Sequence, residues 1–523
     1  MSAATPDVPA TAVPEPLHGA KLALASTALA LATFMNVLDT SIANVSIPAI
    51  AGDLGVSANQ GTWVITSFAV ANAITIPLTG FLTQRFGAVR LFVTSIVLFV
   101  IASWLCGLST SLPMLIVFRV IQGAVAGPMI PLSQSLLLAS YPKAKAGTAL
   151  AIWSMTTLVA PVIGPVLGGW ITDNISWSWI FYINIPVGLV AASVTWAIYR
   201  KRETPTRRVP MDYIGLALLV VWVGALQIML DKGKELDWFA SPQIVTLAIV
   251  AVIGLIAFLI WELTDAHPIV DLTLFKRRNF WSGTLALAVA YGLFFGNVVL
   301  VPLWLQQYMG YTATDAGMVL APVGLLAIFF SPWVGKNINK YDPRWFATLA
   351  FCIFALIFWM RSEFTTQTDY FTIMLPSLIQ GIAVAVFFVP LVSLIFSGLP
   401  PERIPAASGL SNFARITAGA IGTSLVTTLW DDRAIAHHAV LIEHINDASP
   451  ATQAALKTMT DAGMSTQQAL AQINLLISQQ AHTLAADELF RISAILFLVL
   501  IGLIWLARPV KAATAAPETA AAH

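Results

Sequence analysis

Long apolar stretches separated by short polar breaks run along almost the whole chain. Each stretch is about 20 residues long, which is the length that an α-helix needs to cross roughly 30 Å of hydrocarbon. The pattern predicts an all-α integral membrane protein with 14 transmembrane helices in the order six, two, six. These helices are predicted at 22–47, 59–81, 91–108, 112–138, 148–172, 178–199, 211–230, 242–263, 280–307, 313–335, 345–361, 370–398, 405–430 and 488–507.

This order divides the chain into two helical halves. We predict an N-terminal tail (1–21), a six-helix bundle (22–199), two linker helices (211–263), a second six-helix bundle (280–507) and a C-terminal tail (508–523). Of the 523 residues, 58% are hydrophobic and only 10% are charged, against about 25% charged in an average soluble domain. The composition therefore excludes a water-soluble fold, and the net charge of +1 suggests no nucleic-acid partner.

Basic residues are concentrated in every second connection between the predicted helices. Cytoplasmic loops of membrane proteins are enriched in Lys and Arg. An even number of helices places both termini on one side, and we expect that side to be the cytoplasm. The connections concerned carry Arg85, Arg90, Lys143, Lys145, the basic residues of 200–208, 276–278 and 336–344, and Arg403.

One predicted connection, at 431–487, is far longer than the others. It lies on the outer side and its pattern is partly helical and amphipathic. Two interpretations remain open: a solvated cap over the outer mouth, or a docking surface for a partner outside the membrane.

Asp39 is the only carboxylate inside the first predicted helix. It shares one polar or small face with Asn36, Thr40, Ala43 and Asn44, at spacings of three and four residues. A charge inside a membrane helix is costly and indicates function. A carboxylate between desolvation and a nearby cation can load and release a proton, although a purely structural hydrogen-bonding role is the alternative.

Two arginines also lie within apolar helices. Arg119 cannot lose its charge, so it can serve as a fixed counter-ion for Asp39 or bind backbone carbonyls for structural reasons alone. For Arg415, in the thirteenth helix, contact with substrate, a proton or the interface is not distinguished by the sequence.

The fifth predicted helix combines small residues with prolines. Ala160, Gly164 and Gly168 recur every four residues, Gly169 follows, and Pro161 and Pro165 are also four apart. Small faces allow close helix contact and prolines kink helices. Such a helix suits a rocking interface between two bundles, and a static packing kink is the alternative.

More polar and large apolar side chains lie in the helices than lipid contact requires, so some of them should line a cavity. Aromatic and thioether groups would give such a cavity an adaptable apolar wall. The candidate cavity residues are Phe34, Met35, Asn36, Trp63, Gln122, Trp153, Met155, Asn297, Gln380, Phe387 and Asn412.

Four segments together resemble a known family. They are LDTSIANVSIP at 38–48, LIVFRVIQG at 115–123, GPVLGG at 164–169 and WSWIFYINIP at 177–186. By these motifs the chain is similar, along nearly its whole length, to the 14-helix drug:proton antiporters of the major facilitator superfamily, and to the EmrB-type multidrug efflux pumps among them.

The resemblance implies a fold and a function. It implies two pseudo-symmetric six-helix bundles with alternating access, proton coupling through Asp39 and Arg119, and export of hydrophobic drugs across a bacterial inner membrane. It further implies an EmrA-type periplasmic adaptor (a membrane fusion protein) and a TolC-type outer-membrane channel as partners. A natural amphiphile, such as a fatty acid or siderophore, is the alternative cargo.

The loop after the second helix departs from the superfamily pattern. It keeps Gly80, Arg85 and Gly87 but has Gln84 where the pattern usually places Asp. A weaker cytoplasmic latch, or another partner for Arg85, is therefore expected.

Nothing in the sequence indicates catalysis. The chain has no His-Glu-x-x-His or Gly-x-Ser-x-Gly motif, and no nucleotide-binding loop. We therefore expect no enzyme activity, no metal site, no cofactor and no use of ATP, with the proton gradient as the energy source.

Overall fold

The computed structural model describes residues 15–207, 209–338, 340–443, 445–446 and 449–509. Within these residues the regular structure is helical, as predicted. The two predicted tails lie mostly outside the described residues.

The first bundle follows the predicted order of six apolar segments, several of which are divided into shorter helices. Its helices are α1 (Gly19–Val45), α2 (Ile47–Asp53), α3 (Ala58–Gly61), α4 (Trp63–Thr75), α5 (Thr79–Phe86), α6 (Ala88–Gly107), α7 (Leu112–Ala126), α8 (Met129–Ser140), α9 (Ala146–Asn174), α10 (Trp179–Tyr182) and α11 (Asn184–Tyr199).

Two linker helices and a second bundle complete the fold. The linker helices are α12 (Tyr213–Lys232) and α13 (Pro242–Thr264). The second bundle contains α14 (Arg278–Gln307), α15 (Ala313–Asn337), α16 (Pro343–Arg361), α17 (Tyr370–Phe396), α18 (Ile404–Ile442), α19 (Pro450–Asp461) and α20 (Thr466–Trp505).

The number of membrane spans comes close to the prediction. Of the described helices, 11 are long and apolar enough to cross a membrane, and two bent helix pairs bring the number to 13. The thirteenth predicted helix corresponds to α18, which is not among them. Polar residues such as Ser408, Asn412 and Arg415 dilute its hydropathy, so the predicted total of 14 is not fully confirmed.

Two spans bend sharply, and both bends contain proline. The second span turns by 63° between α4 and α5, where Pro77 removes a backbone N–H donor. In α9 the axis turns by 44° between Pro161 and Val166, at the place where the sequence predicts a kink.

Helix ends that are distant in sequence meet on one side of the molecule, which we call the terminal face. There Leu17 donates a hydrogen bond to Ser140 O at 2.9 Å, and Arg344 donates to Ala507 O at 3.1 Å. The bundles also touch here, because a Cβ atom at Gly335 would lie 2.7 Å from Gly147 O. The two halves are thus closed against each other at the terminal face.

On the opposite face, the predicted loop 431–487 is largely helical. The thirteenth segment continues as a helix to Ile442, α19 follows, and α20 begins at Thr466 rather than near residue 488. We call this region, from Asp431 to Asp487, the helical extension.

Candidate functional site

Asp39 and Arg119 form a buried ion pair between α1 and α7. Arg119 Nη1 lies 2.6 Å from Asp39 Oδ2, and the two side chains are 0% and 1% exposed. The same guanidinium donates from Nε to Val64 O at 2.9 Å, which fixes its plane. Because water is excluded, the attraction between the two charges is much stronger than on a protein surface.

Two amides complete the environment of the Asp39 carboxylate. Gln122 Nε2 and Asn184 Nδ2 both donate to Asp39 Oδ1, at 3.1 and 2.8 Å. Both amides also donate to Ser103 Oγ, at 2.6 and 3.1 Å. These donors satisfy an ionised carboxylate, so a proton arriving at Asp39 would weaken every one of these contacts. We call these five side chains the coupling site.

Part of this site follows from the sequence and part does not. Asp39, Arg119 and Gln122 were predicted as functional, whereas Asn184 and Ser103 were not. Asn184 lies within the motif at 177–186, at the first turn of α11, and a polar residue at a helix start looks like an ordinary helix beginning.

A second polar group joins the two bundles near the middle of the molecule. Arg415 of α18 is 4% exposed and donates from Nη2 to Asn412 Oδ1 at 2.9 Å. Asn412 Nδ2 in turn donates to Gln134 Oε1 of α8 at 3.1 Å, and Ser408 donates to the same oxygen. The link therefore crosses from the second bundle to the first.

Three aromatic rings surround Arg415. Its guanidinium carbon lies 4.6 Å from the ring centre of Tyr291, 5.8 Å from that of Phe388 and 5.8 Å from that of Trp153. Such contacts stabilise a cation by about 0.5–2 kcal/mol each. The structure thus brings three sequence candidates, Trp153, Asn412 and Arg415, into one group, which we call the central cluster, and adds Tyr291, which sequence reasoning missed.

Several other candidate cavity residues lie inside a bundle in this conformation. Met35 and Phe387 are each 1% exposed and pack in apolar cores. Asn297 donates to Ser493 Oγ at 3.0 Å within the second bundle, where Gln380 is also fully buried. Amide side chains need hydrogen-bond partners wherever they are buried, so their presence in apolar helices does not distinguish a cavity from a core.

The remaining candidates are spread over the first bundle. Asn36 donates to Ala126 O at 3.0 Å, and Phe34 and Met155 are half-buried. Trp63 lies beside the linker, with its ring centre 5.7 Å from Lys232 Nζ.

Gly164 and Gly168 of the fifth span lie against α1. A Cβ atom at Gly164 would lie 2.5 Å from Ser41 Cβ, and one at Gly168 would lie 3.1 Å from Ile42 O. Gly169 has no atom within 4 Å of the corresponding point. In this conformation Gly164 and Gly168 allow close packing within the first bundle, as does the Ser41 hydrogen bond to Pro161 O at 3.2 Å, and these contacts agree with the static packing alternative.

The loop between α5 and α6 finds substitutes for the missing Asp. Gly87 adopts φ +87°, and Glu203 lies against it, accepting hydrogen bonds from the backbone N–H of Val89 and Arg90 at 2.9 and 2.8 Å. Arg85 donates to Val209 O at 3.3 Å. The hydrogen bonds of this loop thus run to the connector after α11, and the backbone oxygen of Gln84 accepts from the backbone N–H of Arg207 at 2.8 Å.

Gly80 serves the contact between the bundles. A Cβ atom there would lie 2.5 Å from Ala406 Cβ of the second bundle, and one at Gly409 would lie 2.8 Å from Ile76 O. Both contacts depend on the bend between α4 and α5, and both help to close the terminal half of the molecule.

Comparison with known proteins agrees with this architecture. Residues 29–423 match the family model of the Major Facilitator Superfamily. The multidrug export protein EmrB of Escherichia coli (strain K12) is 54% identical over 496 residues, covering 95% of this chain and 97% of that protein. The fatty acid resistance protein FarB of Neisseria gonorrhoeae is 50% identical over 494 residues, covering 94% and 97%.

Solved structures show the same fold at low sequence identity. The human organic anion transporter MFSD10 has a TM-score of 0.57 at 14% identity, covering 93% of this chain and 100% of that one. The proton:xylose symporter XylE has a TM-score of 0.54 at 14% identity, covering 89% and 94%. The chain therefore belongs to the major facilitator superfamily, and within it to the EmrB-type transporters, and it is not an enzyme.

Proposed function

We propose that this protein exports hydrophobic drugs and toxic compounds across the bacterial inner membrane in exchange for protons. The observation that carries the proposal is the coupling site: a carboxylate and a guanidinium, both buried, held 2.6 Å apart within the first bundle. A protein that only binds its cargo has no need of an ionisable pair at such a cost.

Protonation of Asp39 changes the interactions within the coupling site. A neutral carboxyl group loses its charge attraction to Arg119, and the hydrogen bonds from Gln122 and Asn184 lose their charge assistance. Breaking a buried pair by removing one partner's charge costs about 3–5 kcal/mol. A proton that enters therefore favours a different packing of α1, α7 and α11, and its release restores the present one.

The proton gradient supplies the energy for this cycle. Each elementary charge that moves down the membrane potential provides about 2.3 kcal/mol per 100 mV. The ionised pair belongs to the conformation closed at the terminal face. We assign that face to the cytoplasm because basic residues such as Lys145, Arg278 and Arg344 lie there, and cytoplasmic loops are enriched in Lys and Arg.

The central cluster is the candidate cargo site. Trp153, Tyr291 and Phe388 provide flat apolar surfaces from both bundles, and Arg415 provides a positive charge among them. Cargo bound between the bundles would contact residues that separate when the molecule opens at the terminal face.

An acidic amphiphile is the second candidate cargo. Arg415 takes part in no ion pair among the described residues, and its Nε has no hydrogen-bond partner there. A carboxylate attached to an apolar chain would suit this charge and the rings around it. The name of FarB, a fatty acid resistance protein, supports the same chemistry.

We also propose that the exporter works with a periplasmic adaptor of the EmrA type and an outer-membrane channel of the TolC type. The helical extension supports this proposal, because it stands on the face opposite the terminal face and exposes apolar side chains such as Ile435 and Leu475. Exposed apolar groups outside the membrane mark surfaces for protein contact.

Proton movement in proteoliposomes tests the antiport. With a pH gradient imposed and a fluorescent hydrophobic cation added, the wild type should show drug-evoked proton flux. Asp39→Asn should reduce it to the level of empty liposomes, because the amide cannot carry a proton. Asp173→Asn, which removes an exposed carboxylate of α9, is the matched control and should retain the flux. Equal flux in wild type and Asp39→Asn would remove Asp39 from the coupling role.

A further inference from the structure

The second bundle contains a changed copy of the coupling site. Three of its polar residues each lie 258 positions after a coupling-site residue in the sequence. The helices that carry them hold corresponding places in the two bundles. The pairs are Asp39 with Asn297, Arg119 with Ser377, and Gln122 with Gln380. The copy has therefore replaced both members of the ion pair with neutral residues.

Arg361 returns a positive charge to this copy from a different helix. It is the last residue of α16, is 1% exposed, and donates from Nη2 to Gln380 Oε1 at 2.7 Å and to Ser377 Oγ at 3.1 Å. At the same constant spacing, Arg361 follows Ser103 of α6, whose Oγ accepts a hydrogen bond from Gln122 Nε2 at 2.6 Å. The positive charge of the copy therefore stands at the position of Ser103, and not at the position of Arg119.

Unlike Arg119, Arg361 has no carboxylate beside it. None of the ion pairs among the described residues includes it. Arg361 Nε and Nη1, together with Gln380 Nε2, are buried there without a hydrogen-bond partner. Arginine can only donate, so its bond fixes Gln380 Oε1 toward it and leaves the amide NH2 as a donor. These three atoms are all donors, and the acceptor Asn297 Oδ1 is also buried without a hydrogen-bond partner among the described residues.

The protein itself compensates this charge only in part. The ring centre of Phe358 lies 5.7 Å from the guanidinium, and the C-terminus of α16 contributes a partial charge of about −0.5. Neither supplies an acceptor to Nε or Nη1. Burying an unpaired charge is among the most costly arrangements in a protein, so the missing element is an anion.

We propose that Arg361, Ser377 and Gln380 form a binding site for one monovalent anion, either a halide ion or the carboxylate of an acidic amphiphile. Of these two sources, the carboxylate rests on the proposed export function, whereas the halide does not. Buried N–H donors and a guanidinium are the groups that both ligands require.

The site lies close to the surface of the opposite face. Two residues beyond Arg361, the side chain of Glu363 is 60% exposed, and the nearby Arg491 is 52% exposed. Arg491 also donates to Ser362 O at 3.3 Å, directly after Arg361 in the chain. The buried arginine thus lies close to a surface that carries a second, exposed arginine.

Thermal unfolding of the purified full-length protein tests the site. Gluconate, a bulky and strongly hydrated anion, is replaced at constant ionic strength by chloride, bromide or octanoate. A ligand that binds only the folded state raises Tm in a saturable manner. We expect this rise in the wild type and in Arg491→Gln, and its loss in Arg361→Gln.

The ligand series identifies the anion. A rise with chloride and bromide indicates a halide, and a rise with octanoate alone, competed by exported compounds, indicates a substrate carboxylate. No saturable rise in the wild type, or an equal rise in Arg361→Gln, overturns the proposal. If Arg361→Gln does not fold, the anion titration of the wild type still tests the proposal. Ser377→Ala should reduce the rise in Tm. Drug-evoked proton flux without any anion effect would reject this site and leave the proposed antiport intact.

Discussion

The Asp39 carboxylate is bound from two other helices at once. Its partners come from α7 and α11, and Ser103 of α6 holds two of these partners in place. A single arginine would leave Oδ1 without a donor in a site that excludes water. The amides donate hydrogen bonds to that oxygen. Protonation of Asp39 would therefore change contacts that reach α6, α7 and α11.

Removal of the Asn184 side chain should lower the stability of the protein, because Asp39 Oδ1 loses a hydrogen-bond donor. Asn184→Ala deletes the 2.8 Å hydrogen bond to Asp39 Oδ1, and such a loss at a buried charged group destabilises by about 1–3 kcal/mol. Tm should fall, and it should fall less when the exchange is made in Asp39→Asn, where the charge is gone. Asn174→Ala is the control, because that side chain is exposed and bonds only within its own helix. An equal fall in both backgrounds would contradict the interpretation.

At this scale the sequence predicts charges better than their partners. Asp39 and Arg119 stand out because each interrupts an apolar stretch, and the structure shows the ion pair that was one of the two possibilities for Arg119. Arg361 does not stand out, because an arginine at the end of a predicted helix usually extends its head group to water. Only the packing of α16 against α17 and α20 shows that this one is buried.

Among the helices, bends determine which segments meet. The 63° turn between α4 and α5 carries Gly80 to Ala406, so that one span packs on both bundles. The 44° turn in α9 contains Gly164 and is followed by Gly168, the two glycines that contact α1. Proline positions in the sequence predicted the second bend, but the partner of each bent half depends on contacts far apart in the chain.

Two neighbouring glycines of α9 should respond differently to the same substitution. Gly164→Ala would place a Cβ atom 2.5 Å from Ser41 Cβ, so α1 and α9 must separate, at a cost of about 1–3 kcal/mol. Gly169→Ala meets no atom within 4 Å and should leave Tm unchanged or slightly higher, since alanine favours helices. Unfolding of both variants beside the wild type measures this, and a similar fall in both would refute the packing role.

Helix lengths follow from hydropathy only inside the membrane. The predicted bounds of α14 and α16 differ from the observed ones by two residues at most. The helical extension was predicted as a long connection that is only partly helical, because its polar residues end the apolar signal. Capping at Ser465, whose side chain accepts from Gln468 N, stabilises the start of α20 without any apolar pattern.

For the whole molecule, the linker helices attach to both halves. Asp231 of α12 accepts a hydrogen bond from Thr66 of the first bundle. The adjacent Leu230 O accepts from Ser424 of α18 at 3.0 Å, and Trp238 donates to Thr428 at 2.9 Å. When one bundle moves against the other, these hydrogen bonds must therefore lengthen, or the end of α12 must move with one of the bundles.

Assembly with an adaptor should depend on the helical extension. The double variant Ile435→Asp/Leu475→Asp places charges at two apolar positions that are 69% and 58% exposed. Co-purification of an adaptor of the membrane-fusion type with the wild type should be lost in the variant. As the control, drug-evoked proton flux of the variant alone in proteoliposomes should remain. Undiminished co-purification would place the docking surface elsewhere.

The repeated pocket has a consequence for how such transporters diversify. A chain with two versions of one pocket can keep the energy-converting version constant while the other accumulates substitutions. Position 361 illustrates this, because a single side chain on α16 replaces a charge that the first bundle carries on α7. Among relatives that move different compounds, the residue types at positions 361 and 377 should accordingly vary more than those at positions 39 and 119. The residues of the second pocket would then differ with the compound that each relative exports.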